Sequence, residues 1–321
     1  MIIGSETPEA TRRPLSGASA IGVRHRAAAL LAMARPQFWL VSLVALHLGF
    51  VLATRRLVPT GAEAATLAYA GLIAGPLIWL AVLAINDAHD QGTDRRNPRK
   101  AGAPLVTGVL DRRQAIAIGI VSGAVAVLAS IPLGGLFTLG VGLTVLLGWA
   151  YSTPPLRLKA RPGVDVALNA FAVAVLGPLG GWVALTGTIT GFPWPMALIG
   201  SLAVAALYLP TTLVDRQADR AAGARTTAVA LGERATFELG FALWAGSAVV
   251  AAVLAATGTV LDSSLLPLHL IMAPILLVTY RVLLRHRPGF GAITIVAATF
   301  LVPCTAFVLT YCGVITGFGA P

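Results

Sequence analysis

The chain has 321 residues, 57% of them hydrophobic and only 11% charged, with a mean hydropathy of +0.83. That composition is far too apolar for a soluble domain of this length. The net charge of +10 invites a nucleic-acid partner, but its distribution along the chain, given below, argues against one.

In chain order, residues 1–34 read as a basic arm and residues 35–321 as one membrane-embedded body. The body contains nine apolar runs, at about 37–54, 65–85, 114–132, 134–150, 165–186, 194–214, 236–257, 264–284 and 291–317. Each is long enough to cross a hydrocarbon core of ~30 Å. The first starts too late, and has too many successors, to be a cleaved signal peptide. Unpaired backbone groups are costly in lipid, so runs of this length are predicted to be helices. The expected architecture is an all-α integral membrane protein with nine transmembrane helices in a bundle.

The connections between these runs alternate in charge. The arm carries Arg12, Arg13, Arg24, Arg26 and Arg35, and the second connection Arg95, Arg96, Arg99, Lys100, Arg112 and Arg113. The fourth carries Arg157, Lys159 and Arg161, the sixth Arg216, Arg220, Arg225 and Arg234, and the eighth Arg281, Arg285 and Arg287. Twenty-one of the 23 basic residues thus fall on one side, leaving only Arg55 and Arg56 for the other. The positive-inside rule predicts a cytoplasmic N-terminus and an extracytoplasmic C-terminus, as nine crossings require, in the cell membrane. The basic arm then reads as a topology and anionic-lipid signal, not a nucleic-acid site.

The second run passes directly into "NDAHDQGTDRRNPRKAG". Asp87, Asp90 and Asp94 are spaced i, i+3, i+7, which stacks them on one helical face beside Asn86. Three carboxylates that close repel one another, and a divalent cation resolves the repulsion. An all-oxygen donor set suits Mg²⁺ and leaves positions for phosphate oxygens. Arg99 and Lys100 follow as candidate donors to an anion. A solvated, charged loop is the competing reading of this stretch alone.

The sixth run ends in "YLPTTLVDRQADRAAGARTTAVALG", where Asp215 and Asp219, spaced i, i+4, are accompanied by Arg216, Arg220 and Arg225. Alternation places this pair on the same side of the membrane as the first set. Between them lies "YSTPPLRLKARPGVD", in which Tyr151, Arg157 and Lys159 are placed to cap a site. A proline turn with topology charges explains that segment nearly as well.

The pattern N-D-x-x-D-x-x-x-D at Asn86–Asp94, followed by D-x-x-x-D at Asp215 and Asp219, resembles the UbiA superfamily of intramembrane prenyltransferases. "YSTPPLRLK" is similar to that family's segment between its fourth and fifth helices. The resemblance implies nine helices around a central cavity and a Mg²⁺-dependent transfer of a prenyl group. A polyprenyl diphosphate would lie between the two motifs, with two Mg²⁺ ions held by Asn86, Asp87, Asp90, Asp94, Asp215 and Asp219. Lys159 and Arg157, with Arg99, Lys100 and Arg220, would hold the leaving diphosphate, and Tyr151 would steer the diphosphate or the allyl cation. The acceptor is a hydrophobic molecule of the lipid phase. "RRNPRKAG", "PPLRLKARPGVDVALN" and "DRAAGARTTAVALG" look like the carotenoid branch, the lycopene elongases, while Ala88 and His89 stand where that branch tends to carry aromatic residues. An aromatic or quinone-type acceptor is the equal alternative. Intramolecular trapping, as in the terpene cyclases of the same superfamily, is a further one. An ion-coupled transporter is the competing class, because intramembrane aspartates also mark ion pathways. Transporter sites, however, lie near the midplane on interrupted helices, whereas these aspartates sit at helix ends.

Overall fold

A computed structural model describes residues 26–95, 100–286 and 288–315. Among these residues nine helices are long and apolar enough to cross a membrane: α1 (Arg26–Thr54), α2 (Gly61–Asp94), α3 (Arg112–Leu133), α4 (Gly135–Ser152), α5 (Val164–Thr186), α6 (Trp194–Ala221), α7 (Thr227–Thr257), α8 (Ser263–Leu284) and α9 (Phe290–Tyr311). No strand occurs among them. The expected all-α bundle of nine spans is the observed fold.

The boundaries differ from expectation where helix continues through polar sequence. α1 begins at Arg26, inside the stretch assigned to the arm, and bends where Arg35 takes φ 45° before Pro36. α2 runs past the end of the apolar run at residue 85 through all three aspartates, as their helical spacing implied, and helical structure resumes at Thr227, well before 236, with a break at Gly232, which takes φ 79°. Glu233 and Arg234, both exposed, open the long helix after that break, which is why hydropathy misses its start. α9 ends at Tyr311, six residues before the expected limit of 317. Gly313 there takes φ 68° and Val314 N donates to Leu309 O at 2.9 Å, a Schellman stop.

The bundle is built on pairs. α2 packs along α3 and α4, α1 along α5, and α6 along both α5 and α7, with α8 following α7 and α9 returning to α1, where Tyr311 donates to Leu52 O at 3.0 Å. The α1–α5 crossing depends on two glycines. A Cβ on Gly49 would sit 2.0 Å from Pro178 O, and one on Gly181 would sit 2.0 Å from Leu46 O. Only hydrogen fits there, which is how small residues bring membrane helices together. The close crossing draws α5 inward, so that α1, α2, α4 and α5 surround one cavity and α2, α4 and α6 another.

Candidate active site

α2, α4 and α6 carry the chemistry. The helical face predicted from the i, i+3, i+7 spacing exists, but its three carboxylates have different surroundings. Asp87 is 3% exposed and accepts a hydrogen bond from Arg35 Nη2, with Lys100 Nζ at 3.8 Å. Asp90 pairs with Lys159 and, at 3.4 Å, with Arg157. Asp94 pairs with Lys100 at 3.3 Å. Asn86 accepts from Ser152 Oγ at 2.9 Å and from Lys159 Nζ at 2.8 Å, which ties the first motif to the α4–α5 loop.

Asp90, Asp94, Asp215 and Asp219 line one cavity of about 530 Å³ together with Lys100, Arg157, Lys159, Tyr151 and Tyr208. Four carboxylates from two helices and three cations therefore converge on one chamber. Asp87 lies behind this lining. Arg220 is exposed and lies outside it, while Arg216 turns to Glu233 and the Ala228 carbonyl. Arg99 falls outside the described residues.

Arg157 lines the chamber with an unusual backbone. Its φ of 37° is costly for a residue with a Cβ, and its buried Nε has no hydrogen-bond partner among the described residues. An anion in the chamber would supply the acceptor. Burial pushes the Lys159 ammonium below the ordinary lysine range, against the upward pull of Asp90.

A second cavity of about 330 Å³ adjoins the first, the two sharing Tyr151. Val41, Ala45, Val82, Leu147, Leu168 and Leu176 line it. Its polar side chains are engaged within the protein. Ser42 accepts from Trp79 Nε1 at 2.9 Å, Thr144 donates to Gly140 O at 2.7 Å, and Asn169 donates to Tyr151 at 2.9 Å. The arrangement is a polar chamber opening into an apolar one, with a phenol at the junction.

Sequence reasoning missed Arg35, counted only as a topology charge, and Asp165, Asn169 and Tyr208. Tyr208 lies 2.7 Å from Tyr151, hydroxyl to hydroxyl. Arg35 and Tyr208 are lone polar groups in or beside an apolar run, and Asp165 and Asn169, though spaced i, i+4, match no motif.

The sequence profile of the UbiA prenyltransferase family matches residues 42–294. The chain belongs to that family. It is a multi-pass membrane prenyltransferase of the UbiA type. A lycopene elongase/hydratase of Haloferax volcanii is 31% identical over 238 residues, 71% of this chain and 73% of that protein. A digeranylgeranylglyceryl phosphate synthase of Halobacterium salinarum is 30% identical over 189 residues, 54% of this chain and 62% of that protein. Another lycopene elongase/hydratase, from Haloarcula japonica, is 32% identical over 172 residues, and the chain spans 55% of its length. The structure of a UbiA homolog from Archaeoglobus fulgidus bound to DMAPP and Mg²⁺ superimposes with a TM-score of 0.70. It is 22% identical and covers 89% of this chain and 99% of that one, a likeness of fold.

Proposed function

We propose that this UbiA protein transfers the prenyl group of an allylic polyprenyl diphosphate to a hydrophobic acceptor inside the membrane, with Mg²⁺ as cofactor. The observation that carries the reading is the paired chamber, in which carboxylates and cations lining one cavity meet an apolar cavity at Tyr151. The names of the Haloferax and Haloarcula relatives and the ligands of the Archaeoglobus homolog support the same chemistry.

The donor set fits Mg²⁺. Among the described residues no three carboxylate, histidine or cysteine groups converge closely enough to hold an ion alone. Mg²⁺ does not require that, being held by one or two carboxylates with phosphate oxygens and water completing its shell. Asp90 and Asp94 would hold one ion and Asp215 and Asp219 a second, with Asn86 and Asp87 behind the first set. Held by these residues, Mg²⁺ would supply Lewis-acid stabilisation of the charge that develops on the departing diphosphate.

Lys159, Arg157 and Lys100 donate to the diphosphate and stabilise it as it leaves with the electron pair of the allylic C–O bond. The apolar chamber takes hydrocarbon and keeps water from the resulting allyl cation. A double bond of the acceptor attacks that cation, a C–C bond forms, and the adduct sheds a proton. Tyr151, at the junction, orients the diphosphate end and presents its ring to the cation. The lining of this chamber is mainly aliphatic, and its cation, Arg35, is already paired with Asp87, so a hydrocarbon acceptor of carotenoid type suits it better than an aromatic acid.

By the positive-inside rule the polar chamber opens to the cytoplasmic side of the cell membrane, with the basic arm of residues 1–34 on that side and the C-terminus outside. Incubating the purified protein with dimethylallyl diphosphate, Mg²⁺ and either lycopene or 4-hydroxybenzoate tests the acceptor. A product heavier than lycopene by one or two C5 units is expected. Prenylated benzoate as the sole product would overturn the carotenoid assignment.

A further inference from the structure

Asp165, in the first turn of α5, lines neither chamber and is 1% exposed, yet it carries a carboxylate. It has no ion-pair partner among the described residues. Its oxygens accept instead from Thr227 N at 2.8 Å, from Thr227 Oγ1, and from Val166 N at 3.0 Å. Thr227 Oγ1 in turn accepts from Gly163 N at 2.8 Å. A buried carboxylate is tolerated only when hydrogen-bonded as fully as this. Here the amide donors come from two segments, the first turn of α5 and Thr227 after α6.

Two chains of contacts lead from this knot to the polar chamber. Thr226, adjacent to Thr227, donates its hydroxyl to Asp219 Oδ2 at 3.3 Å. One turn along α5, Asn169 Nδ2 donates to the main-chain carbonyl of residue 165 at 2.8 Å and to Tyr151 Oη at 2.9 Å. Tyr151 then meets Tyr208 of α6 at 2.7 Å. With Asn169 as donor, whichever phenol donates to the other, one hydroxyl hydrogen remains. Both phenols line the chamber, so that hydrogen is available to a phosphate oxygen.

We propose that Asp165 is a positioning residue for the diphosphate site. Its carboxylate sets Asp219 through Thr227 and Thr226, while touching neither substrate nor metal. The proposal rests on the reading of Asp219 as a Mg²⁺ ligand. It gives a role to the "PGVDVALN" segment that the transfer chemistry leaves unused.

The test compares Asp165→Asn and Thr226→Val with wild type as full-length protein in detergent. Three quantities are read: the Mg²⁺ concentration for half-maximal diphosphate release, the thermal midpoint, and Mn²⁺ binding by electron paramagnetic resonance with a thiolodiphosphate donor analogue. Loss of an outer-shell partner typically costs 10–100-fold in metal affinity or activity. A rise of about tenfold in the Mg²⁺ and Mn²⁺ requirement is expected for both variants. Asp165→Asn should also melt earlier, whereas Thr226→Val should melt as wild type. Adding Asp165→Asn to Asp219→Asn should shift Mn²⁺ binding no further, because the two act through one contact chain. Thr226→Val with unchanged metal dependence overturns the proposal, as does full additivity with Asp219→Asn. A wild-type protein that shows the Mn²⁺ pattern but releases no diphosphate sinks the transferase reading alone.

Discussion

Replacing Lys159 by Gln removes the ammonium that bridges Asp90 and Asn86 while keeping a side chain of similar length. In the free protein this leaves Asp90 with Arg157 alone, at 3.4 Å, so Asp90 becomes easier for a cation to claim. With donor bound, the diphosphate loses one charged hydrogen bond. Such bonds contribute about 1.5–3 kcal/mol. At ~1.4 kcal/mol per factor of ten, KM for the donor should rise roughly ten- to a hundredfold. The acceptor meets the apolar chamber, in whose lining Lys159 has no part, so its KM should stay within twofold. The Mg²⁺ requirement should fall or hold, opposite in sign to the effect expected at Asp165. The assay is steady-state release of inorganic diphosphate, titrating donor at saturating acceptor and then the reverse. Unchanged donor KM, or equal shifts in both, would refute the placement of Lys159 at the diphosphate.

The remaining expectations concern metal, pH and packing. Asp90→Ala and Asp215→Ala should each abolish turnover by at least a thousandfold, with the protein still eluting as a folded species from size exclusion; activity retained by either contradicts a two-metal site. Because burial lowers the Lys159 pKa, kcat/KM for the donor should fall on an alkaline limb that begins below the ordinary lysine value of 10.5. Between the folded and unfolded values the unfolded chain binds more protons, so this group makes stability rise with pH across the window in which activity falls. Lys159→Arg should move the limb upward, and a limb that stays put would assign it to another group. Gly181→Ala should lower the thermal midpoint by forcing α1 from α5, since the new methyl would overlap the Leu46 carbonyl. An unchanged midpoint would mean the crossing relaxes freely.

What the sequence revealed, and what it hid, follows from the range of each interaction. Spans were legible because crossing a membrane demands some twenty apolar residues in a row, and that demand is local. Their ends were not. α7 begins at Thr227 because Asp165, 62 residues earlier, holds its first turn, and α9 stops at a glycine whose positive φ hydropathy cannot register. The face shared by Asp87, Asp90 and Asp94 could be read from helical spacing alone. The burial of Asp87 behind the chamber could not, because it depends on Arg35 arriving from α1. Arg220 illustrates the opposite failing. It follows Asp219 directly, and neighbours on a helix point about 100° apart, so a basic residue next to a chamber aspartate faces solvent. Tyr208 and Asn169 meet Tyr151 of α4, a contact between helices that nothing in their own neighbourhoods announces.

The most direct test of the central claim is release of inorganic diphosphate by the purified protein. It would be given dimethylallyl, geranyl, farnesyl and geranylgeranyl diphosphates in turn, with Mg²⁺ or with EDTA, and with or without a lipid extract of the host. The account predicts release that requires both Mg²⁺ and the extract, with a product whose mass equals acceptor plus prenyl group less one proton. Release from every donor that persists in EDTA, or no release from any, would contradict it.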